Sequence, residues 1–442
     1  MNRTCVLVVA AVMLLAECRL FAEGIIGISP AETRNHGVYV SNIAAGSPAD
    51  RAGLRMQSRI THIEGKPTPD VASFKRVLEG YRPGNTIRLT VVDKLLDDEL
   101  PKIEIAVTLV DKNTKFVVPP VDDQFKEALE KVNRFSHQVE KDSMRPSNPV
   151  VGVWLYCDAA TDDLMKSMAA LSDLQALELS DFGHAGSRLT VSGFAELKNL
   201  SKLKSLKLME SEISVDSAKL VSVLQQLESL DLSEAKINSK GLEYLVDHLN
   251  IRELVFRETD LHEKDFATLG KATSLKKLDL YKVNIEDADN YRKHQHKAFL
   301  KIESLRNLTH LDLSFTNFDD DDAACLANLN NLEVLDLSHT LITDKALVHL
   351  SQMNRLRKLQ IKYTRTTKAD GDTIDESQIT ANGLETSLKD LKSLRIVDIT
   401  ASKPRFEAKD VKRLGRLWPY AFIYTSGGSI YPTEKAPPSA EK

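Results

Sequence analysis

"LESLDLSEAKINSKGLEYL" (residues 227–245) and "LEVLDLSHTLITDKALVHL" (332–350) obey one rule. Leucine stands at the first, fourth and sixth places, isoleucine at the eleventh, and a stretch of helical spacing follows. "LKKLDLYKVNIEDADNY" (275–291) repeats it, and "LTHLDLSFTNFDDDDAACL" (308–326) does so with Phe318 in the eleventh place. Starts at Leu174, Leu203, Leu227, Ile251, Leu275, Leu308, Leu332, Leu356 and Leu394 make nine units, most of them 24 residues apart. Alternating leucines define a short strand, and the return run defines a helix. Thr343 and Asp344 suit a helix start, because either side chain can accept from free backbone N–H groups. A single unit has an apolar face that it cannot bury alone, so the units stack into a curved solenoid with one continuous core.

The spacing and residue types of these units resemble a leucine-rich repeat array. The expected domain runs over 150–425, with parallel strands on the concave face and helices on the convex face. "VVGVWLYCDAATDDLMKSMAAL" is expected to cap its start and "YAFIYT" its end. The residue between the two strand leucines faces out on the concave side. That column reads Glu178, Lys207, Asp231, Val255, Asp279, Asp312, Asp336, Gln360 and Asp398. It is a candidate acidic face for a basic partner. The alternative is that "LDLS" is common wording in such repeats. Three units carry extra residues, near "DFGHAGSR", "DADNYRKHQHK" and "RTTKADGDTIDESQ". Insertions in solenoids become loops on one face, often the binding face, which makes Tyr291, Arg292, His294 and His296 candidate partner contacts.

Ahead of the repeats, residues 24–111 carry "GIIGIS", "GVYVSNIAAGSPADRAGL", "RITHIEGKP", "DVASFKRVLEGYRPG", "TIRLTVV" and "KIEIAVTLV". Val38 and Val40 alternate as in a strand, as do Ile87, Leu89 and Val91, then Ile103, Ile105 and Val107; Ile60 and Ile63 do so less strictly. Asp70 can cap a helix whose apolar residues are Val71, Phe74, Val77, Leu78 and Tyr81. Pro48 suits the first turn of a short helix, and Gly53 can take the left-handed conformation that stops it.

The order of these pieces, and "GSPADRAGL" above all, resembles a PDZ domain of the bacterial type. The resemblance implies a carboxylate-binding loop at Ile25, Ile26, Gly27 and Ile28. It also implies a ligand peptide added as a strand at a sheet edge, with Phe74, Val77, Leu78 and Tyr81 toward the helix side of the groove. Each of those helix residues has a plain alternative role in the core. An apolar C-terminal ligand residue is expected. One departure stands out: Ser58 and Arg59 occupy the place where the family has Gly-Asp.

The fold expected is therefore multidomain α/β, a small PDZ-like β-rich domain followed by a solenoid. Residues 1–22, with Arg3 and the apolar run from Cys5 to Ala16, fit a secretory signal and place the protein outside the cytoplasm, periplasmic or secreted. Leu20 makes cleavage after Ala22 imperfect, and Glu17 disturbs a lipoprotein-like "LLAEC". Later segments are too short to span a membrane. Beyond the signal only Cys157 and Cys325 remain, several repeats apart, so stability must come from apolar burial. In 112–149, Val121, Phe125, Leu129, Val132 and Val139 mark an amphipathic helix that packs on a neighbour; a free linker or a partner-binding helix are the alternatives. Residues 426–442 read as a disordered tail.

The formal charge of −4 and pI near 6.3 give no reason to expect nucleic acid or an anionic membrane as partner. No G-x-S-x-G or H-E-x-x-H occurs, and "TSGGS" (425–429) lies in the tail. Ile374 falls where a calcium loop needs oxygen. No cofactor and no metal are expected. The reading is a non-enzymatic scaffold that binds an extended peptide or C-terminus and a folded protein. The alternatives are a substrate-recruiting subunit for a separate protease and a hydrolase with an unrecognised site.

Overall fold

The computed structural model describes residues 26–32, 37–92, 102–111, 113–114, 123–156, 161–180, 189–286, 297–364, 366–367, 373–374, 377–400, 406–426 and 428–433. They fall into two compact units, one drawn from Met1–Glu130 and Val139–Gly152, the other from Lys131–Gln138 and Val153–Lys442. The signal segment, Ile25, Cys157 and the loop residues Tyr291, Arg292, His294 and His296 lie outside the described residues.

In the first unit, β1 (Ile28–Glu32), β2 (Val38–Ile43), β3 (Arg59–Ile63), β5 (Thr86–Val92) and β6 (Ile103–Thr108) form an antiparallel sheet in that spatial order. A two-residue strand β4 (Lys66–Pro67) pairs with β3. Helices α1 (Pro48–Arg51) and α2 (Val71–Leu78) complete it. Ser47 caps α1 by accepting from the Asp50 N–H, Pro48 opens it, and Gly53 at φ +84° follows its end. Asp70 caps α2 through the Ser73 N–H at 2.7 Å. The Ser73 hydroxyl first, and then this N–H, hold the Asp70 carboxyl below the usual carboxylate range.

The loose alternation at Ile60 and Ile63 has a structural cause. The β3–β5 register shifts between Ile60 and His62, and this bulge turns both isoleucines into the core, where both are fully buried. Ile103 departs from the expected pattern and is 50% exposed at the start of β6. Helix α2 is shorter than the sequence predicts. It stops at Leu78, and Tyr81 follows in a turn whose N–H donates to the Leu78 carbonyl. At the Ser58–Arg59 departure, Gln57 takes φ +68° and Ser58 is buried.

The segment 142–149 belongs to this unit and grips α1. The Arg145 guanidinium donates to the Asp50 carbonyl, and its Nε lies 3.6 Å from the Asp50 carboxylate. Both side chains are almost wholly buried. Ser147 Oγ and the Gly46 N–H complete the shell around that carboxylate at 2.9 and 2.8 Å. Arg55 pairs with Asp142 at 2.9 Å. A carboxylate at this depth needs such partners, because an unpaired buried charge costs several kcal/mol, roughly 3–5 when one partner is removed.

Helix α3 (Asp123–Phe135) carries Phe125, Leu129 and Val132 of the amphipathic stretch and ends earlier than expected, while Val121 lies outside the described residues. Ser136–Lys141 is strand β7, so Val139 is not helical. Within the second unit, Lys131 of this helix pairs with Asp163 at 3.1 Å.

Among the described residues the solenoid sheet has thirteen strands. From Ala176–Ser180 through Phe422–Thr425 its neighbours run parallel in strict register. Leu177, Leu206, Leu230, Leu254, Leu278, Leu311, Leu335, Leu359, Val397 and Ile423 form one buried column. Phe266, Phe299 and Phe318 stack edge to face behind it, with ring centroids 5.1 and 5.2 Å apart. The predicted cap "YAFIYT" is indeed the last parallel strand. The tail contains structure where disorder was predicted, since Gly428–Ile430 folds back antiparallel on Phe422–Thr425.

Two devices propagate the stack. On the convex side an aspartate reaches forward to the next unit's cap. Asp162 accepts from Thr190 N and Oγ1 at 2.7 and 2.6 Å, Asp320 from Thr343 at 2.8 and 2.7 Å, and Asp344 from Thr380 at 2.8 and 2.6 Å. Asp344 thus serves the following unit rather than its own helix. At the concave edge, Glu210, Glu234, Glu258, Lys282, Phe315, His339 and Tyr363 all adopt φ between +48° and +60°. Each costs of order 1–2 kcal/mol in a non-glycine residue. Each also donates its N–H to a carbonyl of the next rung, from Glu210 to Ser233 through Tyr363 to Thr400, which carries the ladder around the turn.

Candidate functional site

β1 is an edge strand. Among the described residues it pairs with β2 alone, and α2 packs alongside it. The approach to β1 is the short loop at Ile26 and Gly27. Gly27 has φ +77°, a conformation that favours glycine. The Ile26 carbonyl accepts from Ala49 N of α1, and the Gly27 carbonyl from Ala44 N. The loop is therefore set by α1, which the Asp50–Arg145 pair fixes in turn. An edge strand beside a helix, entered through a glycine loop, has the geometry for β-strand addition.

The candidate groove residues divide by burial. Ile26 and Ile28 are fully enclosed and face the groove only through their backbone. Phe74 and Leu78 are also core, at 1% and 0% exposure. Val77 and Tyr81 are partly exposed against the same core and are the side chains on the α2 side still open to a ligand.

On the solenoid, the concave column has the predicted register, with Glu178, Lys207, Asp231, Val255, Asp279, Asp312, Asp336, Gln360 and Asp398 on successive rungs. Its acids are not a uniform stripe. One oxygen of each aspartate is used at home. Asp231 accepts from Ser233 N, Asp279 from Tyr281 N, Asp312 from Ser314 N, Asp336 from Ser338 N and Asp398 from Thr400 N, at 2.8–3.2 Å. Three acids also meet cations: Glu178 with Lys207 at 2.9 Å, Asp279 with Arg257 at 2.7 Å, and Asp398 with Lys362 at 4.0 Å. Asp231, Asp312 and Asp336 have no ion-pair partner among the described residues. Burial raises the Asp312 carboxyl above the usual range, and the neighbouring Asp336 adds to it. Asp279 is raised in the same way, by burial first and by Asp312.

The family comparisons agree with this geometry. A model described as "PDZ domain" matches residues 24–107, one described as "Zer-1-like, Leucine-rich repeats" matches 218–326, and one described as "Leucine rich repeat" matches 306–365. The chain carries a PDZ domain at residues 24–107, followed by leucine-rich repeats at 218–365. Over 67 residues it is 37% identical to "Protease Do-like 7" of Arabidopsis thaliana, a match that covers 15% of this chain and 6% of that protein. Among solved structures it is similar to an internalin of Listeria monocytogenes, with a TM-score of 0.40, 17% identity, and 69% of this chain and 82% of that one covered. A second internalin, C2, from the same organism matches with a TM-score of 0.34, 20% identity, and coverage of 55% and 84%.

Two features of the repeats and the PDZ domain were missed in the sequence. The first is a ladder three residues beyond the acidic column. Phe315 and His339 stack at 3.9 Å, His339 and Tyr363 lie 5.2 Å apart, and Tyr281 adjoins Phe315 at 5.1 Å. Phe315 is 40% and Tyr363 39% exposed. "LSFT", "LSHT" and "IKYT" carried the signal, but only the register shows that these rings meet. The second is the Asp50–Arg145 clamp, which no local spacing announces because the partners are 95 residues apart.

Proposed function

We propose that this protein is an exported, non-catalytic scaffold whose PDZ groove captures a peptide C-terminus and whose concave repeat face holds a folded partner. The observation that carries the reading is the open edge of β1 beside α2, reached through the Ile26–Gly27 loop. Val77 and Tyr81 supply the exposed apolar wall, in keeping with an apolar terminal side chain. The apolar run from Cys5 to Ala16 supports export. Linking two binding surfaces raises the effective concentration of the second once the first is engaged, provided one target carries both epitopes.

A library of free C-terminal peptides tests the groove on the full chain. Binding should select apolar last residues, and amidation of the terminus should abolish it. Val77→Asp should weaken binding at least tenfold with little loss of stability. Uniform binding of amidated and free peptides would sink the reading.

A second reading has its own support. The stretch similar to "Protease Do-like 7" favours a substrate-recruiting subunit for a separate protease. It predicts that a protease copurifies with the protein and that adding the protein speeds cleavage of a shared target.

A further inference from the structure

The edge that makes β1 a docking strand contains a proline. The direction in which Pro30 faces follows from its neighbours. Pro30 lies opposite Val40 in the β1–β2 register. Val40 commits both of its backbone groups to the other side, its N–H to the Ser58 carbonyl and its C=O to the Gln57 N–H. Gly27 and Ser29 turn their carbonyls toward β2 and its side chains, accepting from Ala44 N and from Ser41 Oγ. Backbone polar groups alternate along a strand, so Ile28 and Pro30 turn theirs to the open edge. A register shift between Ser29 and Pro30 is absorbed on β2, where Ser41 is the extra residue.

An antiparallel peptide with its carboxylate at the loop meets these groups in order. Its last residue can donate its N–H to the Ile28 carbonyl. Two residues upstream the peptide faces Pro30, which offers a carbonyl but no N–H. The peptide carbonyl there finds no donor, and the ring occupies the place where a donor would stand. An internal segment suffers more, because it also forgoes the terminal carboxylate.

We propose that Pro30 sets the specificity of the groove, restricting it to free C-termini held by roughly their last three residues and excluding longer or internal β-strand ligands. This rests on the groove reading above and names its ligand class more narrowly. Most added strands gain two hydrogen bonds at each outward residue, whereas this groove offers only a carbonyl at the proline, and the one outward residue beyond it, Glu32, ends the strand.

The test uses fluorescein-labelled peptides of three, five and eight residues that end in the same free isoleucine, with an internal-loop peptide beside them. They are titrated against the full chain and against Pro30→Ala. In the natural protein, affinities of the three peptides should agree within about threefold. Pro30→Ala should bind the eight-residue peptide about tenfold more tightly, with a smaller gain for the three-residue peptide, which meets the restored N–H but nothing beyond it. A steady gain with length in the natural protein, or no gain in Pro30→Ala, overturns the proposal while leaving the groove intact. Absence of binding to either protein overturns both. The length series on the natural protein stands even where the variant folds poorly.

Discussion

The two sheets treat their edges in opposite ways. The solenoid ends Phe422–Thr425 with a returning strand, Gly428–Ile430, so its last parallel strand is not left open. The PDZ sheet leaves β1 paired on one side only among the described residues. An unpaired strand edge invites association, and proteins usually blunt it. Here one edge is blunted by the chain itself and the other by a single proline that faces outward. The difference separates an edge that is only an end from an edge kept for use. The two units also close differently. The PDZ domain ties residues far apart in sequence, Asp50 with Arg145, whereas each rung of the solenoid bonds mainly to the next. Its stability is then close to a sum over neighbours.

The strongest attack on this contrast is at the core of the stack. Phe299 touches aromatic rings on both sides, Phe266 and Phe318, and is fully buried. Phe299→Ala should cost about 3–5 kcal/mol. Both tryptophans, Trp154 and Trp418, lie in the solenoid unit, so denaturant unfolding followed by their fluorescence reads the loss there. A change below 1 kcal/mol would mean that neighbouring rungs do not depend on this rung.

In the PDZ domain the matching attack is electrostatic. Arg145→Met leaves the Asp50 carboxylate buried beside Ser147 and Gly46 without its cation and should destabilise by about 3 kcal/mol. Asp50→Asn combined with Arg145→Met should recover much of that, measured by limited proteolysis and thermal melting. If the single and double variants melt alike, the pair is not what holds α1 under the loop.

Much of the architecture was legible because it repeats. Nine starts with leucines at fixed offsets leave one arrangement that buries them all, and the concave column followed by counting. Local caps were legible for the same reason: Asp70, Pro48 and Gly53 act within one turn of chain. What stayed hidden was set at a distance. The turn after each strand draws one carboxylate oxygen of Asp231, Asp312 and Asp336 inward, which the letters "LDLS" do not state. Val139 carried an apolar signal that helix and strand share, and the chain chose the strand. Phe74 and Leu78 looked like groove residues and are core, because an eight-residue helix has too little surface to give its whole apolar face to a ligand. Pro30 was in plain view, but its meaning depends on which way Val40 points.

A smaller effect sharpens the neighbour rule on the convex side. Gly383 follows the cap Thr380, and a Cβ there would fall on the Asp344 carboxylate of the preceding unit. Gly193 stands in the same relation to Asp162. Gly383→Ala should therefore destabilise by about 2 kcal/mol despite its helical backbone, where alanine is normally the better residue by about 1 kcal/mol. Asp344→Ala in the same chain should relieve part of that loss. Independent effects of the two changes would show that the forward clasp is incidental.

The smallest expected effect is confined to one rung and depends on pH. Asp322 is buried, beside Asp319 and Asp321, and burial with those neighbouring charges raises its carboxyl to about 7. A raised folded value means that the folded protein binds this proton more tightly than the unfolded chain does. The associated stability is fully present below the ordinary value of 3.8 and is lost as pH rises through about 7. Between pH 6 and pH 8 the natural protein should lose about 1 kcal/mol from this group. Asp322→Asn should flatten that part of the profile and match or exceed the natural protein at pH 8. In a solenoid ruled by neighbours the change should appear in the exchange of amides in the rungs around Phe318–Leu329 and leave the PDZ amides untouched. A pH response spread evenly over the whole chain would break the contrast between the two units.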